Sequence, residues 1–328
     1  MRTAPTPMEL TLLVGASCHD VAQHLPFFDH ILPIDDHQLM GAGHLSRLAG
    51  AARLTRLLRQ KNFTQTIIFH RDWRYGLLTR LAGIPIRRGL THLGNVNFLT
   101  HPHCPAPGEH HVLQYLSLAA RLSTGTDTPP ALPDAPLSGI WKFFDGEKDR
   151  ALAKARSLGF DPARKTVALG FGGGRNVKTQ THLKWWPIES YKELARKITG
   201  AGFQVVWLGD QADAGMLGGG FEGISLAGHL LVEETAVILS LCHKTVSNDT
   251  LILHLCEAVG VPVVGIFGPT DPAHYRPLSP RSSFFWIGKK ADCCPCHVDG
   301  WFPDCPNQHQ CMKSIGVEPV FAKLMEPL

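Results

Sequence analysis

Residues 244–272 read KTVSNDTLILHLCEAVGVPVVGIFGPTDP: two short β-like runs, Lys244 to Ser247 and Val261 to Phe267, stand on either side of a helical stretch, Leu251 to Val259. Strand-length apolar runs separated by one helix form a βαβ unit, and such units build parallel sheets. The alternation extends upstream. Lys165 to Phe171 is a buried strand closed by Gly172, Gly173 and Gly174, followed by a helix from Ile188 to Thr199, a strand from Gln204 to Leu208 and a helix from Glu233 to Leu241. In the first half, Leu10 to Val14, Ile31 to Ile34 and Gln65 to Phe69 read as strands, and Trp73 to Ala82 as a helix ended by Gly83 and Pro85. Between them, Leu45 to Leu58 is an amphipathic helix with Leu45, Leu48, Ala49, Ala52, Leu54, Leu57 and Leu58 on its apolar side and Arg47, Arg53, Arg56 and Arg59 largely elsewhere.

The chain has 328 residues, enough for two domains of about 150 residues each. The segment Ser123 to Pro136, rich in Thr, Pro, Asp and Ala, reads as the region between them, and domains are expected over residues 1–145 and 146–328. A composition of 44% hydrophobic and 18% charged residues excludes a mainly disordered chain. The net charge of +4 favours anionic ligands or an acidic membrane face, and the lack of any Lys/Arg block argues against nucleic acid as a partner. The N-terminal residues do not read as a signal peptide, and the most apolar run, Leu251 to Phe267, is broken by His254 and Glu257, so a cytoplasmic protein is expected. Five of the nine cysteines fall between Cys293 and Cys311, a clustering that suggests metal or free thiols before disulfides.

Three constellations carry chemistry. Gly170-Phe171-Gly172-Gly173-Gly174 directly follows a strand, where backbone N–H groups of Gly173 and Gly174 can approach an anion; a plain strand-to-loop turn is the alternative. Lys184-Trp185-Trp186-Pro187 leads into the next helix, which puts Lys184 at that helix's positive end, although a solvated lysine would read the same way. Asp249 and Thr250 stand between a strand and a helix, His254 lies one turn beyond Thr250, and the next strand ends in Gly268-Pro269-Thr270-Asp271-Pro272; capping alone would explain Asp249 or Thr250 but not the whole set. The third is Cys293-x2-Cys296-x8-Cys305-x5-Cys311 within a Cys-rich loop, 293–311. Four thiolates so spaced can close a tetrahedral structural site for zinc or iron, with free thiols as the alternative.

Taken in order, the glycine cluster, Lys-x-x-Pro before a helix, Asn-Asp-Thr-x-x-x-His and Pro-Val-Val-x-x-Phe-Gly-Pro-Thr-Asp-Pro resemble glycosyltransferase family 9, the ADP-heptose:lipopolysaccharide heptosyltransferases and their relatives. The resemblance implies a GT-B fold, two Rossmann-like doubly wound α/β domains with a cleft between them. It implies inverting transfer of a sugar, heptose in most members, from a nucleotide-diphosphate donor to a glycan or glycolipid acceptor such as lipopolysaccharide core. No catalytic metal is expected, and peripheral contact with the inner face of the cytoplasmic membrane is. By the same resemblance Lys184 contacts the donor phosphates, Asp249 and Thr250 the diphosphate region, His254 the same pocket, Asp213 the ribose and the Leu230 backbone the base.

Two departures stand out. Many members have Gly-Pro where this chain has Leu251-Ile252, which loosens the inference about the donor. Members also open with a strand and a Gly-Asp loop whose aspartate looks like the catalytic base, whereas Leu10 to Val14 resembles their second strand. The first sheet is therefore expected to be one strand short, with Asp20 the nearest, poorly placed carboxylate. The alternative reading is a non-catalytic nucleotide-sugar-binding or metal-stabilised assembly protein of the same fold.

Overall fold

The structure, a computed structural model, describes residues 8–35, 43–70, 72–91, 96–123, 137–173, 181–288, 293–297 and 302–327. The chain divides into two compact units, Met1–Gln23 with Phe27–Ala131, and His24–Pro26 with Leu132–Leu328. Residues 137–145, expected in the first domain, belong to the second unit. There the Trp141 N–H donates to Ala258 O at 3.2 Å, and the Trp141 ring stacks on buried His24 at 4.3 Å.

The first unit contains β1 (Thr11–Gly15), α1 (His19–Gln23), β2 (His30–Ile34), α2 (His44–Gln60), β3 (Gln65–Ile68), α3 (Trp73–Leu81), β4 (Ile86–Leu90), β5 (His101–His103) and α4 (His111–Ser123). All its strand pairs are parallel, but they form two separate sheets, β1-β2 and β3-β4-β5. Among the described residues, β1 and β3 each have one unpaired edge. Leu54 and Leu58 of α2 pack with Leu78, Ala82 and Ile84, and Leu13 and Ile34 lean on the same cluster. The apolar side expected for this helix is corrected: Gly50, Leu54 and Leu58 face inward, whereas Leu45 is 83% exposed and Leu48 68%. At 3.6 residues per turn, Leu45 stands about half a turn around the helix from Leu54.

The second unit holds α5 (Glu147–Ser157), β6 (Thr166–Gly170), α6 (Ile188–Gly200), β7 (Gln204–Leu208), α7 (Gln211–Leu217), β8 (Ile224–Ser225), α8 (Val232–Ser240), β9 (Lys244–Asn248), α9 (Leu251–Val259), β10 (Val263–Phe267), α10 (Pro272–Tyr275), β11 (Ser283–Trp286), α11 (Gln310–Lys313) and α12 (Val317–Met325). Its six strands form one parallel sheet in the order β11-β10-β9-β6-β7-β8. Every residue of β6, β7, β9 and β10 is buried. Val167, Leu169 and Phe171 share one core with Tyr191, Leu194 and Ile198 of α6, Val320 and Leu324 of α12, and Cys294, Cys311 and Met312. The chain leaves β6 in one direction and returns to build outward from β9 in the other. In such sheets this reversal opens a crevice at the carboxyl ends of the two strands, where ligands bind.

Candidate donor site

Asn248, at the end of β9 and fully buried, ties the crevice together. Its Nδ2 donates to Phe171 O and Gly172 O at 3.0 and 3.1 Å, and its Oδ1 accepts from Trp186 N at 3.2 Å and Tyr191 OH at 3.1 Å. The amide has two donors and two acceptor lone pairs, so its capacity is filled. It joins the end of β6, the Lys-Trp-Trp-Pro segment and β9. Sequence reading placed Asn248 inside a motif without giving it this role, because its partners lie 57 to 77 residues away.

The next residue, Asp249, is 4% exposed, and Lys184 Nζ donates to its Oδ2 at 2.7 Å and to its main-chain O at 3.3 Å. His254 Nε2 lies 3.8 Å from Asp249 Oδ1, on the exposed side of α9. Thr250 is the N-cap residue of α9, its Oγ1 3.4 Å from Ser247 Oγ, and no side chain caps the helix. Lys184, Asp249, Thr250 and His254 thus gather at the amino end of α9. One buried carboxylate is matched by one ammonium, and the uncapped helix end adds positive potential, which suits an anionic ligand. Lys184 Nζ is also 5.9 Å from the ring centres of Tyr275 and Phe302.

Glycine is required at two positions beside them. A Cβ on Gly172 would lie 1.9 Å from Asp213 Oδ2, and one on Gly173 would lie 1.9 Å from Trp185 Nε1. Gly174 lies outside the described residues. Asp213, expected at the ribose, is buried: its Oδ2 accepts the Asp210 N–H at 2.9 Å, and its own N–H donates to Asp210 Oδ1, a capping box at the start of α7. Leu230 is half-buried in the turn between β8 and α8. Asp20 sits in the first turn of α1, its side chain 84% exposed and 3.3 Å from His19 Nδ1.

Of the four thiols expected to form a metal site, Cys296 lies near enough to Cys293, Cys305 and Cys311 for their charges to oppose its own. Among the described residues no group of three or more His, Cys, Asp or Glu side chains stands where it could hold a metal ion. Cys311 is instead hydrogen-bonded to Cys294, which lay outside the expected set. The Cys293 thiol accepts from Asn307 Nδ2 at 3.3 Å, and that of Cys305 from the His309 N–H at 3.2 Å. Burial, reinforced by neighbouring thiols, pushes Cys294 and Cys311 upward and Cys296 up to about 11, which keeps them protonated near neutrality.

What this segment does contribute is a brace. Cys296 N–H and His297 N–H both donate to Pro269 O at 3.0 and 3.1 Å, and Trp286 Nε1 donates to Gly268 O at 3.0 Å. Met312 packs so closely under Gly268 that a Cβ there would be 2.3 Å from its sulfur. The brace holds the Gly268–Asp271 loop and brings Phe302 to Lys184.

With this geometry in place, known proteins give the comparison. The profile of glycosyltransferase family 9 (heptosyltransferase) matches residues 51–300. Lipopolysaccharide heptosyltransferase 2 of Escherichia coli (strain K12) is 24% identical over 295 residues, covering 83% of this chain and 78% of its own. The structure of E. coli ADP-heptose lps heptosyltransferase II superposes with a TM-score of 0.71 at 20% identity, covering 96% of this chain and 88% of that one. An E. coli heptosyltransferase solved with ADP gives a TM-score of 0.68 at 18% identity, covering 96% and 89%.

Proposed function

The chain belongs to glycosyltransferase family 9, the heptosyltransferase family, and from that premise we propose that it moves a heptose from a nucleotide-diphosphate donor to a glycan acceptor of the lipopolysaccharide kind, with inversion. The fold is GT-B, and in this reading the second unit takes the donor. The observation that carries this reading is the convergence of Lys184, Asp249 and His254 on the amino end of α9, at the reversal of the strand order.

In the reaction an acceptor hydroxyl oxygen bonds to the anomeric carbon and releases its proton to solvent water, while the bond from that carbon to the diphosphate oxygen breaks. The departing diphosphate takes the electron pair. Lys184 and the free N–H groups of α9 are placed to hold that developing charge, a stabilisation that needs no proton transfer. Asp249 fixes the lysine, and His254 lines the same rim.

A second reading, nucleotide-sugar binding without transfer, is favoured by one observation: Asp20, the carboxylate put forward as base, is a solvated side chain of a short surface helix. Peripheral contact with an acidic membrane face is supported by the outer side of α2, where Leu45 and Leu48 are followed by exposed Arg56 and Arg59. Among the described residues no helix is long and apolar enough to cross a membrane.

Titration calorimetry with ADP, followed by transfer assays with ADP-heptose and a lipopolysaccharide core acceptor, tests both readings. ADP binding with turnover supports transfer. Binding without turnover supports the second reading, and no ADP binding overturns both.

A further inference from the structure

We propose that the indole N–H of Trp185 is a hydrogen-bond donor to the diphosphate of the nucleotide-sugar, which makes Trp185 a donor-binding residue beside Lys184. The proposal rests on the nucleotide-diphosphate reading above and adds a residue to it.

Trp185 Nε1 is buried and has no hydrogen-bond partner among the described residues. Among the other described tryptophans of the unit, Trp141 Nε1 is likewise buried and unpartnered, whereas the remaining three are paired within the protein. Trp186 Nε1 donates to Ile315 O at 2.9 Å, Trp207 Nε1 to Glu222 O at 2.8 Å and Trp286 Nε1 to Gly268 O at 3.0 Å. An indole N–H can only donate, so one withdrawn from water and left unpaired is unfavourable until an acceptor arrives.

The place where it waits is specific. A Cβ on Gly173 would lie 1.9 Å from Trp185 Nε1, so the N–H rests against the backbone that leaves β6 at its carboxyl end. The short 3-10 turn Thr181–Lys184 sets the ring there, with the Trp185 main-chain N–H donating to His182 O at 3.1 Å. The preceding residue, Lys184, reaches Asp249 at the amino end of α9. A lone donor next to a glycine, an ammonium and an uncapped helix end calls for an anionic oxygen, and the phosphoryl oxygens of the leaving group supply it.

Two measurements on the intact protein test this. In wild-type protein, the Trp185 indole proton, assigned through its backbone connectivities, is expected to move downfield on titration with ADP and to stay in place with adenosine. Trp185→Phe, which keeps an aromatic ring and loses the N–H, is expected to weaken ADP about tenfold and leave adenosine unchanged. ADP binding to wild type with an unmoved indole proton, or with equal affinity in Trp185→Phe, would overturn the Trp185 assignment and leave the donor reading intact. If wild type binds no ADP, the donor reading itself fails. Should the variant not fold, the wild-type resonance decides.

Discussion

At the scale of single residues, Asn248 and Asp249 divide two tasks that a sequence motif presents as one. Asn248 holds the scaffold through four buried hydrogen bonds. Asn248→Ala is expected to strand several of those groups and cost about 3 kcal/mol in denaturant unfolding, with ADP affinity falling as the loops separate. Asp249 serves Lys184. Removing the lysine leaves a buried carboxylate without its partner, so Lys184→Ala is expected both to destabilise the protein by about 3 kcal/mol and to weaken ADP. Adding Asp249→Asn is expected to restore most of the stability and none of the affinity, which separates the two effects by calorimetry and thermal unfolding. For the thiols, Cys296 titrates at about 11 because burial and neighbouring sulfurs oppose its charge. Iodoacetamide at pH 8 is expected to modify exposed Cys18 and Cys104 well before Cys296, as read by peptide mass spectrometry, with the gap narrowing as pH rises towards 11.

At the scale of elements, two helices of the first unit make opposite statements. The helix α3 is anchored at its start by Asp72, whose carboxylate accepts the Arg74 N–H at 2.9 Å and pairs with the Arg74 guanidinium. Its hydrogen bonds to Arg74 hold the Asp72 carboxyl below its ordinary value of 3.8. A depressed folded-state pKa contributes stability above the unfolded value and loses it as pH falls through the folded one. Asp72→Asn is therefore expected to lower stability at pH 7 by about 1 kcal/mol and to flatten the acid side of the stability curve below about pH 4. The helix α2 turns Leu45 and Leu48 outward, followed by Arg56 and Arg59, with no acidic residue along its length. If this face meets an acidic membrane, Leu45→Ser with Leu48→Ser is expected to reduce co-sedimentation with phosphatidylglycerol vesicles severalfold while thermal stability stays within about 0.5 kcal/mol, since neither side chain is buried.

At the scale of the whole molecule, the second unit has one continuous six-stranded sheet, and the first has its strands in two pieces. The contacts of the candidate donor site lie within the second unit. ADP at a hundred times its dissociation constant is expected to stabilise that unit by about 2.7 kcal/mol, with slower amide exchange in β6 and β9 and little change in β1 to β5. The alternation of strands and helices was open to sequence reading because it is local: short apolar runs of strand length, helical periodicity and glycines at strand ends each show within a few residues. So was the order of the motifs, which led to the family and to Lys184, Asp249, Thr250 and His254. What only the tertiary structure decided is the direction in which side chains point and the partners they meet at long range. It joined Asp213 to the Asp210 capping box, turned Leu45 and Leu48 outward, Cys311 towards Cys294, and the Trp185 N–H to a glycine with no acceptor among the described residues. Each of these depends on segments brought together from distant parts of the chain or on a helix's rotation about its axis. Neither is encoded in residue spacing, because the choice is made by packing against elements whose positions the local sequence does not contain.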